Sequence, residues 1–95
     1  MFVLNLRYTA PLDKVDALLH DHVAWLKSQH AAGHFIAWGR KVPREGGLIF
    51  CQAANREEAE ALAAFDPFVK GGVATVEVIE FAPSFVAEGL EALQG

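Results

Sequence analysis

The chain is predicted to form one α+β domain in which the elements follow the order βαββαβ. Three observations carry this reading. Phe2–Thr9 alternates strictly between two faces, one later stretch repeats apolar residues at helical spacing and another opens on a capping box, and a Pro-Arg-Glu-Gly break divides two short apolar runs. Ninety-five residues leave room for a single core, taken here as residues 2–83 followed by a tail, 84–95, with the whole of 1–95 as one domain.

Phe2 to Thr9 sets Phe2, Leu4, Leu6 and Tyr8 on one side of a strand and Val3, Asn5, Arg7 and Thr9 on the other. Pro11 and Asp13 supply helix-start chemistry, and the helix is expected to run to about Ala32, where Gly33 stops it. His34–Val42 and Gly47–Ala54 read as two strands joined through Pro43-Arg44-Glu45-Gly46. Asn55-Arg56-Glu57-Glu58 has the spacing of a capping box and opens a second helix through Phe65. Val73–Phe81 is rich in β-branched residues and ends before Pro83, giving a fourth strand. A short C-terminal helix is expected beyond Ser84, with Phe85, Leu90 and Leu93 as its few anchors.

That order is the split βαβ of ferredoxin-like domains: a four-stranded antiparallel sheet with both helices on one face. The hairpin is apolar on both faces, since Leu48 and Phe50 alternate with Ile49, Cys51 and Ala53. Helices cover one face. The other needs a cover that the chain does not supply, and a homodimer packed sheet to sheet would supply it; the 53% apolar content agrees.

Charge and composition exclude several classes. Eight Lys+Arg against twelve Asp+Glu give a formal charge of -4, with no electrostatic footprint for nucleic acid or an anionic membrane. No apolar run approaches the ~18 residues of a membrane span, and the start lacks a basic segment and cleavage site, so a cytoplasmic location is expected. The single Cys51 excludes an intramolecular disulfide framework and a Cys-based zinc site, and reads as a packing residue. His20, His30 and His34 do not combine with His22 into a metal set, so neither metal nor cofactor is expected.

Two residues stand out as candidate chemistry. Val15, Leu18, Leu19, Trp25 and Leu26 form one apolar helix stripe, and His22 sits inside it, aimed at the packed centre. Imidazole changes charge near neutral pH, so an inward His is a candidate acid/base; the plainer reading is a core His bonded to a backbone carbonyl. Asp66 opens Asp66-Pro67-Phe68-Val69-Lys70-Gly71-Gly72, where it either caps a short helical turn or also orients His22. Gly71-Gly72 is a turn and not a phosphate loop, because no helix follows it. Asn5 and Arg7 are candidates for binding a substrate carboxylate or enolate, Phe35, Trp38 and Phe68 for pocket walls, and Arg40 for an anion contact near the hairpin tip, where Lys41 and Arg44 also stand.

The run His22-Val23-Ala24-Trp25-Leu26, then Gly33, Trp38-Gly39, Pro43-Arg44-Glu45-Gly46-Gly47, Glu57-Glu58-Ala59, Asp66-Pro67-Phe68-Val69 and Glu80-Phe81-Ala82-Pro83 together resemble the YciI-like (YCII-related) family over roughly residues 2–83. The resemblance implies a dimeric α+β barrel and a His–Asp site that maps onto His22 and Asp66. It also implies relatives acting on chlorinated hydroxyquinol-type aromatics, on a barrel shared with muconolactone isomerases and cofactor-free monooxygenases. The chain departs from the family around Gly39: Trp38 and Arg40 stand where a small residue and a proline are common. The expected function is therefore a cofactor-free lyase or isomerase acting through His22 and Asp66 on a small aromatic, lactone or enol-like substrate. The alternatives are a non-catalytic dimeric module that binds a small molecule or partner, and a relative of haem-handling or antibiotic-oxidising barrel enzymes.

Overall fold

The alternation at the start of the chain becomes β1 (Phe2–Tyr8), which pairs antiparallel on both sides in a computed structural model that describes all 95 residues. The elements that follow are α1 (Leu12–Ala17), α2 (Leu19–Ala31), β2 (Phe35–Arg40), β3 (Gly46–Cys51), α3 (Arg56–Ala64), α4 (Pro67–Lys70) and β4 (Ala74–Glu80). The strands stand in the order β2-β3-β1-β4, all antiparallel, which is the expected ferredoxin-like α+β sheet.

Register fixes what each face carries. Leu4 lies opposite Ile49 on β3 and Val78 on β4, and Phe2 lies opposite Cys51, so these side chains share the helix-covered face. There they join Val15, Leu26, Phe35, Ala59, Ala63 and Phe68 in one buried cluster. The other face carries Val3, Asn5 and Arg7 beside Leu48, Phe50 and Ile79. Leu48 and Ile79 keep 39% and 41% of their surface, so this face is apolar and open. No helix is long and apolar enough to cross a membrane.

The expected first helix is two. It breaks at Leu18, whose N–H turns back to Val15 O at 3.0 Å in place of continuing the α-helical ladder. No Gly or Pro marks this position. At the break Leu18 packs closely over Gly71, where a Cβ would lie 2.3 Å from Leu18 Cδ1. The start of α3 follows its sequence signal, with Asn55 accepting the Glu58 N–H at 2.8 Å. The C-terminal helix does not form beyond a 3-10 turn, Glu91–Gln94. Two of its three anchors find no core, since Phe85 is 82% and Leu90 51% exposed.

Gly46 and Gly47 are demanded by close approach between strands. A Cβ on Gly46 would meet the Leu6 carbonyl oxygen at 1.9 Å, and one on Gly47 would meet Gly39 O at 2.8 Å. Gly39 itself has nothing within 4 Å of its Cβ position. Gly46→Ala is therefore expected to cost about 1–3 kcal/mol in a denaturant titration, and Gly39→Ala under about 0.5 kcal/mol. Equal costs would mean that the β1–β3 spacing is not set by Gly46.

Candidate active site

The site begins with a helix cap. Asp66 precedes Pro67, which occupies the first position of α4, and the Asp66 carboxylate accepts the Phe68 N–H through Oδ1 at 2.9 Å. The same oxygen lies 2.8 Å from His22 Nδ1. A carboxylate has no proton to give, so Nδ1 is the donor and the neutral imidazole keeps its lone pair on Nε2. Capping and contact with His22 thus fall on one atom. Asp66 is 1% exposed, and its second oxygen, Oδ2, is buried without a partner.

His22 lies in the first turn of α2, which begins where the helix breaks at Leu18. Its ring stacks on Phe68, with centroids 3.8 Å apart and planes within 8°. Phe68 in turn meets Tyr8 edge-on at 5.8 Å. The imidazole is therefore fixed in plane by Asp66 and in depth by Phe68. Its side chain is 12% exposed, Nε2 is not hydrogen-bonded within the chain, and His22 lines the adjoining cavity.

That cavity encloses about 190 Å³ between α2 and the β2–β3 end of the sheet. The buried Leu6, Leu26, Ile49 and Phe68 give it an apolar floor, Gly46 and Gly47 add no side chain to its lining, and the exposed Trp38 and Arg40 with the half-buried Tyr8 mark its mouth. Arg44, close by, is engaged: its guanidinium donates to Asp16 and lies 5.8 Å from the Tyr8 ring centre. That hydrogen bond holds the exposed Asp16 carboxyl below the usual carboxylate range.

Several expected site residues lie elsewhere. Asn5 and Arg7 are on the opposite face of the sheet, a consequence of the period-2 alternation of β1, and Asn5 donates to Glu77 at 3.3 Å. Phe35 is sealed in the core, edge-on to Trp25 at 5.0 Å, and does not reach the cavity. Trp38, Arg40 and Phe68 do line it, as do Tyr8, Gly46 and Gly47, which sequence reasoning missed. Tyr8 carried a signal, since it shares the inward alternation of Leu4 and Leu6. His30 and His34 take the plainer fate, their Nδ1 atoms bonding Phe35 O at 2.8 Å and Gln52 O at 3.2 Å. No three His, Cys, Asp or Glu side chains gather as metal ligands. Burial pushes the Cys51 thiol up to about 11, which removes it as a nucleophile at neutral pH.

Residues 1–82 match the YCII-related domain. Among solved structures, the chain resembles 5-chloro-2-hydroxyhydroquinone dehydrochlorinase (TftG) from Burkholderia phenoliruptrix AC1100, determined in complex with 2,5-dihydroxybenzoquinone. The two share 20% identity with a TM-score of 0.67, over 85% of this chain and 93% of the other. No curated protein matches the chain.

Because Asp66 serves α4 and His22 at once, its removal should be felt in both. Asp66→Ala is expected to lose about 2–3 kcal/mol of stability, read by denaturant unfolding, and to speed hydrogen exchange at the Phe68 amide. A variant as stable as the parent, with Phe68 still protected, would show that α4 does not depend on this cap.

Proposed function

Because this chain belongs to the YCII-related domain family, we propose that it is a small enzyme in which His22 moves a proton on a small aromatic, lactone or enol-like substrate, as a lyase or isomerase. The single observation that carries the reading is the hydrogen bond from His22 Nδ1 to the buried Asp66 carboxylate, which leaves Nε2 unbonded on a residue that lines an apolar cavity. Asp66 acts as the orienting residue. It keeps one tautomer and offsets the positive charge that His22 acquires on taking a proton.

In the elimination form of the reaction, Nε2 takes a proton from a substrate C–H, and the electron pair of that bond becomes the new double bond. The leaving group departs with its own bonding pair, and the imidazolium then gives its proton to water. In the isomerisation form, the same proton returns to a different substrate atom. Both need only a base, an acid and a site that excludes bulk water, so the proposal includes no cofactor. A dehydrochlorinase removes hydrogen and chloride from its substrate, and the neighbour of that name supports the elimination form through shared fold.

The protein is placed in the cytoplasm, in keeping with a single buried cysteine that has no partner for a disulfide, and as a homodimer joined through the open sheet face. Exposed Leu48 and Ile79, with Val3 and Phe50 on the same face, support a sheet-to-sheet contact. Ile79→Glu should then convert a dimer to monomer in analytical ultracentrifugation; a parent chain that is already monomeric would overturn the dimer.

The catalytic reading is tested with His22→Asn, whose side-chain amide can still donate to Asp66 but offers no base. Small aromatics, lactones and carboxylates that raise the melting temperature of the parent protein are carried into turnover assays. Turnover is expected to fall about 10²–10⁴-fold in His22→Asn, with ligand-induced stabilisation kept. Undiminished turnover would remove His22 from the chemistry.

A further inference from the structure

The His22 cavity has a floor of hydrocarbon and a single uncommitted charge at its lip. Arg40 is the only Lys or Arg that lines it, and Arg40 takes part in none of the ion pairs of the chain. Asp16, the carboxylate whose titration also feels Arg40, already accepts a hydrogen bond from Arg44. An unpaired guanidinium beside an apolar cavity has five donors and no partner.

Strand geometry directs that guanidinium. Trp38 and Arg40 are two residues apart on β2, so they rise from the same side of the sheet. They lie opposite Ile49 and Gly47 on the neighbouring strand. Gly47 has no side chain to fill the position facing Arg40, and it is held as glycine by the Gly39 carbonyl. The space beside Arg40 is thus kept open by the backbone. Trp38 is braced edge-on by His30, at 6.2 Å between ring centres, and stands 39% exposed beside the mouth.

We propose, resting on the reading of this cavity as the active site, that it selects small aromatic carboxylates: the carboxylate is held by Arg40, Trp38 lies against the ring, and the far side of the ring meets His22. The planar fork of arginine matches a carboxylate with two parallel hydrogen bonds. A volume of about 190 Å³ falls below the ~300–1,000 Å³ of drug-sized sites, which suits one substituted ring. One cation compensates one negative charge, so a monoanion fits better than a phosphate dianion. The direction of entry follows from charge. The buried carboxylate of Asp66 behind His22 repels an anionic group from the floor, while Arg40 attracts it to the mouth.

Isothermal titration of benzoate and its hydroxylated derivatives against the matching benzamides tests this on the parent protein, Arg40→Gln and Arg40→Lys. The acids are expected to bind the parent about tenfold more tightly than the amides, the value of one charge-assisted contact at a partly exposed site. Arg40→Gln should erase that preference, Arg40→Lys should retain part of it, and added salt should shrink it in the parent. Equal binding of acids and amides to the parent, no binding of either, or a preference that survives Arg40→Gln would each overturn the proposal. The two readings fail separately. Arg40-dependent acid binding with full turnover in His22→Asn removes His22 from the chemistry and leaves the substrate class standing. Turnover that depends on His22, without any preference for acids, removes the substrate class alone.

Discussion

One buried oxygen atom organises the functional end of this molecule. Asp66 Oδ1 accepts the Phe68 N–H, which starts α4, and the His22 Nδ1–H, which fixes the imidazole on α2. Burying a carboxylate is costly unless its lone pairs are occupied, and here two donors converge on one oxygen while the other has none. Folding α4 and orienting His22 are consequently the same event. Neither helix end can move without exposing or orphaning the carboxylate that joins them.

Around that atom the structure is layered by ring stacking. Phe68 lies flat against His22 and edge-on to Tyr8, so the helix that carries the cap also supplies the surface against which the imidazole rests. Core and site therefore share residues: Phe68 is 2% exposed and belongs to the same buried cluster as Leu4, Leu6 and Ile49. A site built this way is as rigid as the core behind it. This suits a proton-transfer role, where small displacements of the base weaken its action.

Much of this was legible in the sequence, because the signals were local. Strict alternation in Phe2–Tyr8 determined which residues face inward, and β-branched content marked β4. His22 was conspicuous as the polar member of an apolar stripe, and Asp66-Pro67 as cap chemistry. The helix break at Leu18 and the burial of Phe35 depend on tertiary packing, whereas the placement of Asn5 and Arg7 does not. Nothing near Leu18 announces the helix break, which falls where its side chain packs over Gly71, far along the chain. Asn5 and Arg7 are the polar residues of a strand, and the alternation of β1 by itself assigns them to the face away from the helices. Phe35 begins the strand that carries Trp38, and packing with Trp25 draws it into the core. A stripe of residues shows what points inward, but which of them border an empty space depends on how the layers meet.

The glycine pair on β3 has a consequence for how this protein could diversify. Gly46 and Gly47 touch backbone carbonyls on the strands either side, so neither can acquire a side chain without forcing strands apart. The floor is shared with the core, and the His22–Asp66 pair is tied to a helix start. Among the lining residues free of those ties are Trp38 and Arg40 on the edge strand β2. Two alternate positions of one outer strand thus offer descendants of this chain a route to a changed ligand preference that leaves the His22–Asp66 pair and the fold untouched.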